Sequence, residues 1–242
     1  MADYLKYKIR GGVILYEIEK EKGEKYITIR GFKEGYESRN LNIPAEIDGI
    51  NVKKIGSHTF LGEEILSLTL PEGLVEIGES AFDCCDELKK VVFPSSLRII
   101  EESAFDGCND LADVKFNEGL EYIGNSAFSY TDIQKLTLPN SLIEIGNSAF
   151  ECSGFSSVAF GPKLKTIGER AFADNTALKS IKFNEGLEII KDEAFDECGV
   201  ESIISPDSLK SMEYDAFNGC SCLKSFHIGK NFANDSVYTF LF

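Results

Sequence analysis

Large apolar side chains recur along this chain at one fixed interval. A phenylalanine stands at Phe60, Phe82, Phe105, Phe128, Phe150, Phe172, Phe195, Phe217 and Phe240, each 22 or 23 residues after the last. Eight residues before these marks lie Val52, Leu74, Leu97, Leu120, Leu142, Leu164, Leu187, Leu209 and Phe232, and five before them lie Ile55, Ile77, Ile100, Ile123, Ile145, Ile167, Ile190 and Met212. Twelve before, the residue is Leu70, Phe93, Phe116, Leu138, Phe160, Phe183 or Ile228, with Ser205 as the polar exception. A unit this short cannot bury several large side chains alone, whereas copies stacked on one another can, so the period predicts a solenoid.

The polar positions define the elements within a unit. Each reads as a short strand such as Leu68-Thr69-Leu70, a turn carrying Pro, Asn or Gly, and a second extended piece such as Leu74-Val75-Glu76-Ile77. A tight turn with an Ala-Phe pair follows, expected as a brief helical or 3₁₀ segment; Thr59 and Thr239 replace the alanine at the two ends. Glycine follows the isoleucine at Gly56, Gly78, Gly124, Gly146 and Gly168 but Glu101, Lys191 and Glu213 share the slot, so positive φ is permitted there without being obligatory. The shorter units lose their residue between the Phe and the next apolar position: Phe82 to Leu88 is six steps, Phe128 to Ile133 five. A corner absorbs such a deletion, whereas a stacked strand would turn its side chains to the other face.

Residues 1–40 lie outside the repeat. Tyr7 to Glu19 and Lys25 to Phe32 alternate apolar with polar residues, which predicts an N-terminal cap of antiparallel β-strands covering the apolar edge of the first coil. Residues 41–242 are then the solenoid, beginning with a coil that carries an inserted turn at Asp48-Gly49. Its last coil weakens, with Asp235 where an isoleucine belongs; a degenerate cap and a longer natural chain are both open readings.

These residues resemble the BspA-like class of leucine-rich repeats. Pro71, Ile77-Gly78, Ala81-Phe82, Cys85, Leu88 and Val91 carry the pattern in one coil, and Pro139, Ile145-Gly146, Ala149-Phe150, Cys152, Phe155 and Val158 in another. The resemblance implies a right-handed leucine-rich-repeat solenoid, α/β or mainly β, with a parallel sheet of short strands over about eight to nine coils. It further implies a bacterial surface or secreted interaction protein of the adhesin type, with another protein, such as a host extracellular protein, as partner. An intracellular scaffold or regulatory binding protein of the same fold is the alternative. The two differ in location: Met1 to Arg10 has no apolar leader core and the chain has no apolar run long enough to span a membrane, which favours the cytoplasm if the native chain begins there.

Composition narrows the partner. Apolar content of 43% with 27% charged residues is that of an ordered protein, and a formal charge of -15 argues against nucleic acid, which needs a basic face. Four of the seven cysteines, Cys85, Cys108, Cys152 and Cys220, lie three residues before the next apolar strand position, in a column shared with Tyr130 and Asn175. A small, soft filler of a coil corner explains the column, while Cys85 and Cys108, on neighbouring coils, also fall within disulfide reach.

The inventory leaves no room for a catalytic constellation. His58 and His227, the two histidines, lie about seven repeats apart, which at roughly 4.8 Å per stacked strand separates them by over 30 Å. Glu76, Glu79, Glu102, Glu144, Glu169 and Asp192 read as a solvated outer face, and no spacing of zinc ligands, calcium-binding turns or phosphate-cradling glycines is present. Neither a metal nor another cofactor is therefore expected. Binding is the function that remains, and the outward strand positions supply the surface. Thr69, Val92, Lys115, Thr137, Ala159, Lys182, Ile204 and His227 form one outward column, with Ser67, Lys90, Asp113, Lys135, Ser157, Ser180, Ser202 and Ser225 two residues earlier. Lys90, Lys115, Lys135, Lys182 and His227 are the candidate partner contacts, and the exposed solenoid ends offer a route to end-to-end dimers.

Overall fold

The structure, a computed structural model, describes residues 4–10, 12–230 and 232. Its first three strands, β1 (Leu5–Ile9), β2 (Gly12–Glu21) and β3 (Glu24–Phe32), pair antiparallel in sequence, with a register shift between Leu15 and Tyr16. Alternation turns Ile14, Tyr16, Ile27 and Ile29 inward, and Phe32 packs edge-on against Phe60 at 5.0 Å. After β4 (Asn40–Asn42), β5 (Glu46–Ile47) and β6 (Ile50–Ile55) make a hairpin whose turn residues, Asp48 (φ 52°) and Gly49 (φ 76°), both adopt the left-handed conformation of a tight two-residue connection. The inserted turn is thus a hairpin, and its second strand pairs parallel with β3.

From there, three-residue and two-residue strands alternate. The longer set is β7 (Ser67–Thr69), β9 (Lys90–Val92), β11 (Asp113–Lys115), β14 (Ser157–Ala159), β16 (Ser180–Lys182), β18 (Ser202–Ile204) and β20 (Ser225–His227). The shorter is β8 (Glu76–Ile77), β10 (Ile99–Ile100), β12 (Tyr122–Ile123), β13 (Glu144–Ile145), β15 (Thr166–Ile167), β17 (Ile189–Ile190) and β19 (Ser211–Met212). The short strands continue the sheet of β1 to β3 as one parallel ladder from β6 to β19, in register so that Ile77, Ile100, Ile123, Ile145, Ile167, Ile190 and Met212 lie above one another. The longer strands form a second parallel face in three pieces, β4-β7, β9-β11 and β14-β16-β18-β20. On this face no strand forms between β11 and β14, although Leu136 and Leu138 still point inward and are buried.

The Ala-Phe corner is not helical, and the fold is mainly β, with no helix among the described residues. Positive φ recurs two residues before the phenylalanine, at His58, Ser80, Ser103, Ser126, Ser148, Arg170 and Glu193, and two residues after it, at Gly62, Cys84, Gly107, Tyr130, Cys152, Asp174, Glu197 and Gly219. A left-handed residue in every turn stops a right-handed helix from propagating. Backbone N–H groups instead alternate between their own turn and the next coil. Asp83 donates to Ser80 and Cys85 to Phe82, while Ser80, Phe82 and Cys84 donate to Glu102, Ala104 and Asp106 of the following coil. The corner is therefore a third ladder.

Glycine after the isoleucine has a steric reason, since none of these five glycines has positive φ. A Cβ on Gly124 would lie 2.5 Å from the Glu102 nitrogen, and one on Gly168 would lie 2.5 Å from the Gly146 carbonyl carbon. Close coil-to-coil approach selects the residue.

The core is a column of rings. Successive phenylalanines from Phe60 to Phe217 stack at 5.0 to 5.4 Å with planes within 19° of parallel. Phe93, Phe116, Phe160 and Phe183 meet this column edge-on. The last repeat mark, Phe240, and the altered Asp235 and Thr239 lie outside the described residues.

Candidate binding surface

Outward side chains of the longer strands make an exposed strip down one face. Lys90 stands opposite Asp113 and forms an ion pair with it, and Lys115 stands opposite Val92. Lys182 lies opposite Ala159, and His227 opposite Ile204 on the last strand. Lys135 is exposed where the strand ladder is interrupted. All five candidates face solvent, but they occupy two columns: Lys90 and Lys135 in the first, Lys115, Lys182 and His227 in the second. Lys115, Lys135 and Lys182 have no ion pair among the described residues, whereas the charge of Lys90 is answered within the face itself. Two apolar side chains interrupt the polar strip, Val92 at 42% and Ile204 at 70% exposure.

A concavity that the outward columns did not reveal closes the N-terminal end of this strip. Its volume is about 580 Å³, and its lining comes from β4 and β7 together with Arg10 and residues 37–39. The strand pattern of Asn40-Leu41-Asn42 could have indicated the floor, because it aligns with Ser67-Leu68-Thr69. The contribution of Arg10 could not be read that way, since the β1-β2 turn is distant in sequence.

Forward counting from the phenylalanine corrects the cysteine column. Cys85, Cys108, Thr131, Ser153, Asn175, Cys198 and Cys220 each lie three residues after it, and all are buried. Tyr130 and Cys152 belong one place earlier, among the left-handed residues of the turn ladder. Nor is the column mere filler. Cys85 donates its S–H to the Phe60 carbonyl (3.2 Å), Cys108 to Phe82 (3.1 Å), Cys198 to Phe172 (3.1 Å) and Cys220 to Phe195 (3.1 Å). Asn175 makes the same contact with Phe150 (2.8 Å), and Ser153 with Phe128 (3.3 Å). Cys85 and Cys108 are free thiols, and burial pushes the Cys85 thiol up to about 12 and Cys108 further in the same direction. Such thiols are poor nucleophiles and metal ligands.

Several acidic groups are held in ion pairs. Glu76 meets Lys54 at 2.8 Å, and Glu188 holds Lys165 and Lys210 at 2.9 and 2.6 Å. Glu151, Cys152 and Asp174 converge, but Arg170 already holds both carboxylates, at 2.9 and 2.8 Å. His58 is exposed on the turn ladder near the start of the solenoid and His227 on the last strand, so no histidine pair forms. Among the described residues no helix is long and apolar enough to cross a membrane.

A sequence profile of the BspA type leucine rich repeat region matches the chain in six copies, over residues 25–155 and 144–242. Among solved structures, the chain is similar to a leucine-rich repeat protein from Bacteroides ovatus, with 25% identity over 89% of this chain and 70% of that one and a TM-score of 0.61. It is similar to a T. pallidum leucine-rich repeat protein at 26% identity over 86% and 88% of the two chains, with a TM-score of 0.67. A likeness of fold alone extends to the pneumococcal vaccine antigen PcpA, at 20% identity over 94% and 82% and a TM-score of 0.50. No curated protein matches it.

Proposed function

The chain belongs to the BspA type leucine-rich repeat family, and on that premise we propose that it is a non-catalytic module that binds another protein across its long-strand face, in the manner of a bacterial surface or secreted adhesin. The observation that carries this reading is the exposed pair of outward columns, which present two side chains per coil, most of them small or charged, along a stacked parallel backbone. An extended strip of this kind suits a partner that spans several coils, with affinity summed over many modest contacts. Lys115, Lys135 and Lys182, free of ion pairs among the described residues, supply the charge on that strip. The two histidines lie at opposite ends of the solenoid and the buried thiols are engaged in carbonyl contacts, which supports binding over catalysis.

Site-specific photocrosslinking tests the reading. A crosslinking residue at Thr137 or Ala159 samples the strand face, and one at Asn147 samples the turn ladder. Incubation with purified host extracellular matrix proteins is expected to give adducts from the first two positions, reduced when Lys115 and Lys135 are changed to Glu. Adducts confined to Asn147, or none from any position, would refute the assignment.

A further inference from the structure

We propose that the concavity at the N-terminal end of the strand face is a seat for a carboxylate of an acidic peptide, with Arg10 as its anchor. This rests on the assignment of the strand face as the binding surface and adds the chemistry of the partner. The concavity, about 580 Å³, is of the size that holds one side chain or a small ligand. Its floor is Asn40 and Asn42 of β4 beside Ser67 and Thr69 of β7, paired in register.

The donors there are largely unspent. Of the five arginines in the chain, Arg30, Arg39, Arg98 and Arg170 have carboxylate partners. Arg10 has no ion pair or hydrogen bond among the described residues, and it lines the concavity. A guanidinium stays charged at any working pH and offers a planar fork that matches a carboxylate in two parallel bonds. Ser67 donates to the Asn40 Oδ1 at 2.7 Å, and the Asn40 NH₂ group has no hydrogen-bond acceptor among the described residues. The Asn42 amide and the Thr69 hydroxyl likewise make no side-chain hydrogen bond among the described residues.

Charge favours the same occupant. Arg39 also lines the site, and its pair with Glu87 joins two side chains that are 52% and 40% exposed, a contact that solvent screens and a ligand can displace. Glu37 is the one carboxylate in the lining among the described residues, on a protein of formal charge -15. The guanidinium of Arg10, unpaired among the described residues of an otherwise acidic protein, favours a negative partner by attraction here and by repulsion elsewhere. The strip then continues past Lys90 and Lys115, so an extended acidic segment can leave the seat and follow the coils.

The test uses the full chain, a fluorescein-labelled oligoglutamate peptide, its oligoglutamine counterpart and a heparin fragment, read by fluorescence anisotropy. Expected are salt-dependent binding of oligoglutamate, no binding of oligoglutamine, a loss of about tenfold in Arg10→Ala and a smaller loss in Arg10→Lys, which keeps the charge but not the fork. Asn42→Ala is expected to weaken binding less than Arg10→Ala, and unchanged thermal unfolding establishes that the variants fold. Unaltered oligoglutamate affinity in Arg10→Ala overturns the proposal, as does equal binding of oligoglutamine. Heparin binding without oligoglutamate binding overturns it in favour of a sulfated polysaccharide. Loss of oligoglutamate binding in Lys115→Glu/Lys135→Glu with none in Arg10→Ala removes the seat and leaves the strand-face reading standing; loss in neither removes both.

Discussion

Replacing Phe128 by alanine tests the stacked interior where it is most continuous. Its ring is fully buried and lies 5.3 Å from Phe105 and 5.4 Å from Phe150, both stacked, with Phe116 and Phe93 edge-on at 5.4 and 6.1 Å. Truncating a buried phenylalanine costs about 3–5 kcal/mol, and four ring partners place this one near the upper end, since each aromatic pair adds roughly 0.5–1.5 kcal/mol. The neighbouring coils are held apart by three backbone ladders and cannot collapse into the space. Phe217 provides the comparison: among the described residues it stacks on Phe195 alone, at 5.0 Å, meets Phe226 edge-on at 5.8 Å, and is 5% exposed. Urea unfolding followed by circular dichroism should show a larger fall in midpoint for Phe128→Ala than for Phe217→Ala. The central variant should also broaden or split the transition, because a coil array is coupled through nearest neighbours and a weak centre divides it. Equal effects of the two substitutions, or a cost below about 1 kcal/mol for Phe128→Ala, would refute the stacked-column account of stability.

Asn175 is fully buried; its amide donates to the carbonyls of Phe150 and Phe172 at 2.8 Å, and its Oδ1 accepts from the Ser153 N–H at 3.0 Å. Asn175→Leu should therefore cost about 2–4 kcal/mol in denaturant unfolding by orphaning several buried groups, and Asn175→Cys should cost less because cysteine serves this position in neighbouring coils. Gly124→Ala should cost about 1–3 kcal/mol through its 2.5 Å clash with the Glu102 nitrogen, whereas Gly62→Ala, with nothing within 4 Å of its Cβ, should cost only about 1 kcal/mol for its left-handed φ of 68°. Burial, followed by the charge of Asp83, pushes the Asp106 carboxyl up to about 6 from its ordinary 3.8. An acid whose pKa rises on folding stabilises the fold at low pH and loses that contribution as pH climbs from about 4 past 6. Asp106→Asn should remove a slope worth about 1 kcal/mol, after discounting for its half-exposed position, in melting curves taken at pH 4 and pH 7.5; parallel pH profiles for the two proteins would contradict this.

Much of the architecture was legible because the stack repeats each side-chain role at a fixed interval. The phenylalanine, isoleucine and leucine columns needed only counting, and outward alternation placed Lys90, Lys115, Lys135, Lys182 and His227 on an exposed face. What failed was the direction of the count. The missing residue of the shorter units falls after the buried donor, so counting back from Ile133 and Phe155 reached Tyr130 and Cys152 instead of Thr131 and Ser153. Glycine at the slot after isoleucine indicates only that a positive φ is permitted, whereas contact between backbones of adjacent coils selects it, and that contact exists only in the assembled stack. The turn ladder was hidden for a related reason: serine, arginine, glutamate and tyrosine are not expected at positive φ, and inter-coil hydrogen bonds hold them there. The concavity escaped because Arg10 meets β4 through folding rather than through sequence proximity.

The in-register ladders give the molecule an approximate translational symmetry along its axis: the upper edge of one turn offers the same donors, acceptors and rings that its lower edge requires. Removing or duplicating a whole 22- or 23-residue segment between equivalent points therefore leaves backbone valences matched on both sides of the splice. Length is thus a quantity that gene duplication can alter in whole steps without redesigning the interior, and the reach of the outer strip lengthens or shortens by roughly 4.8 Å with each step.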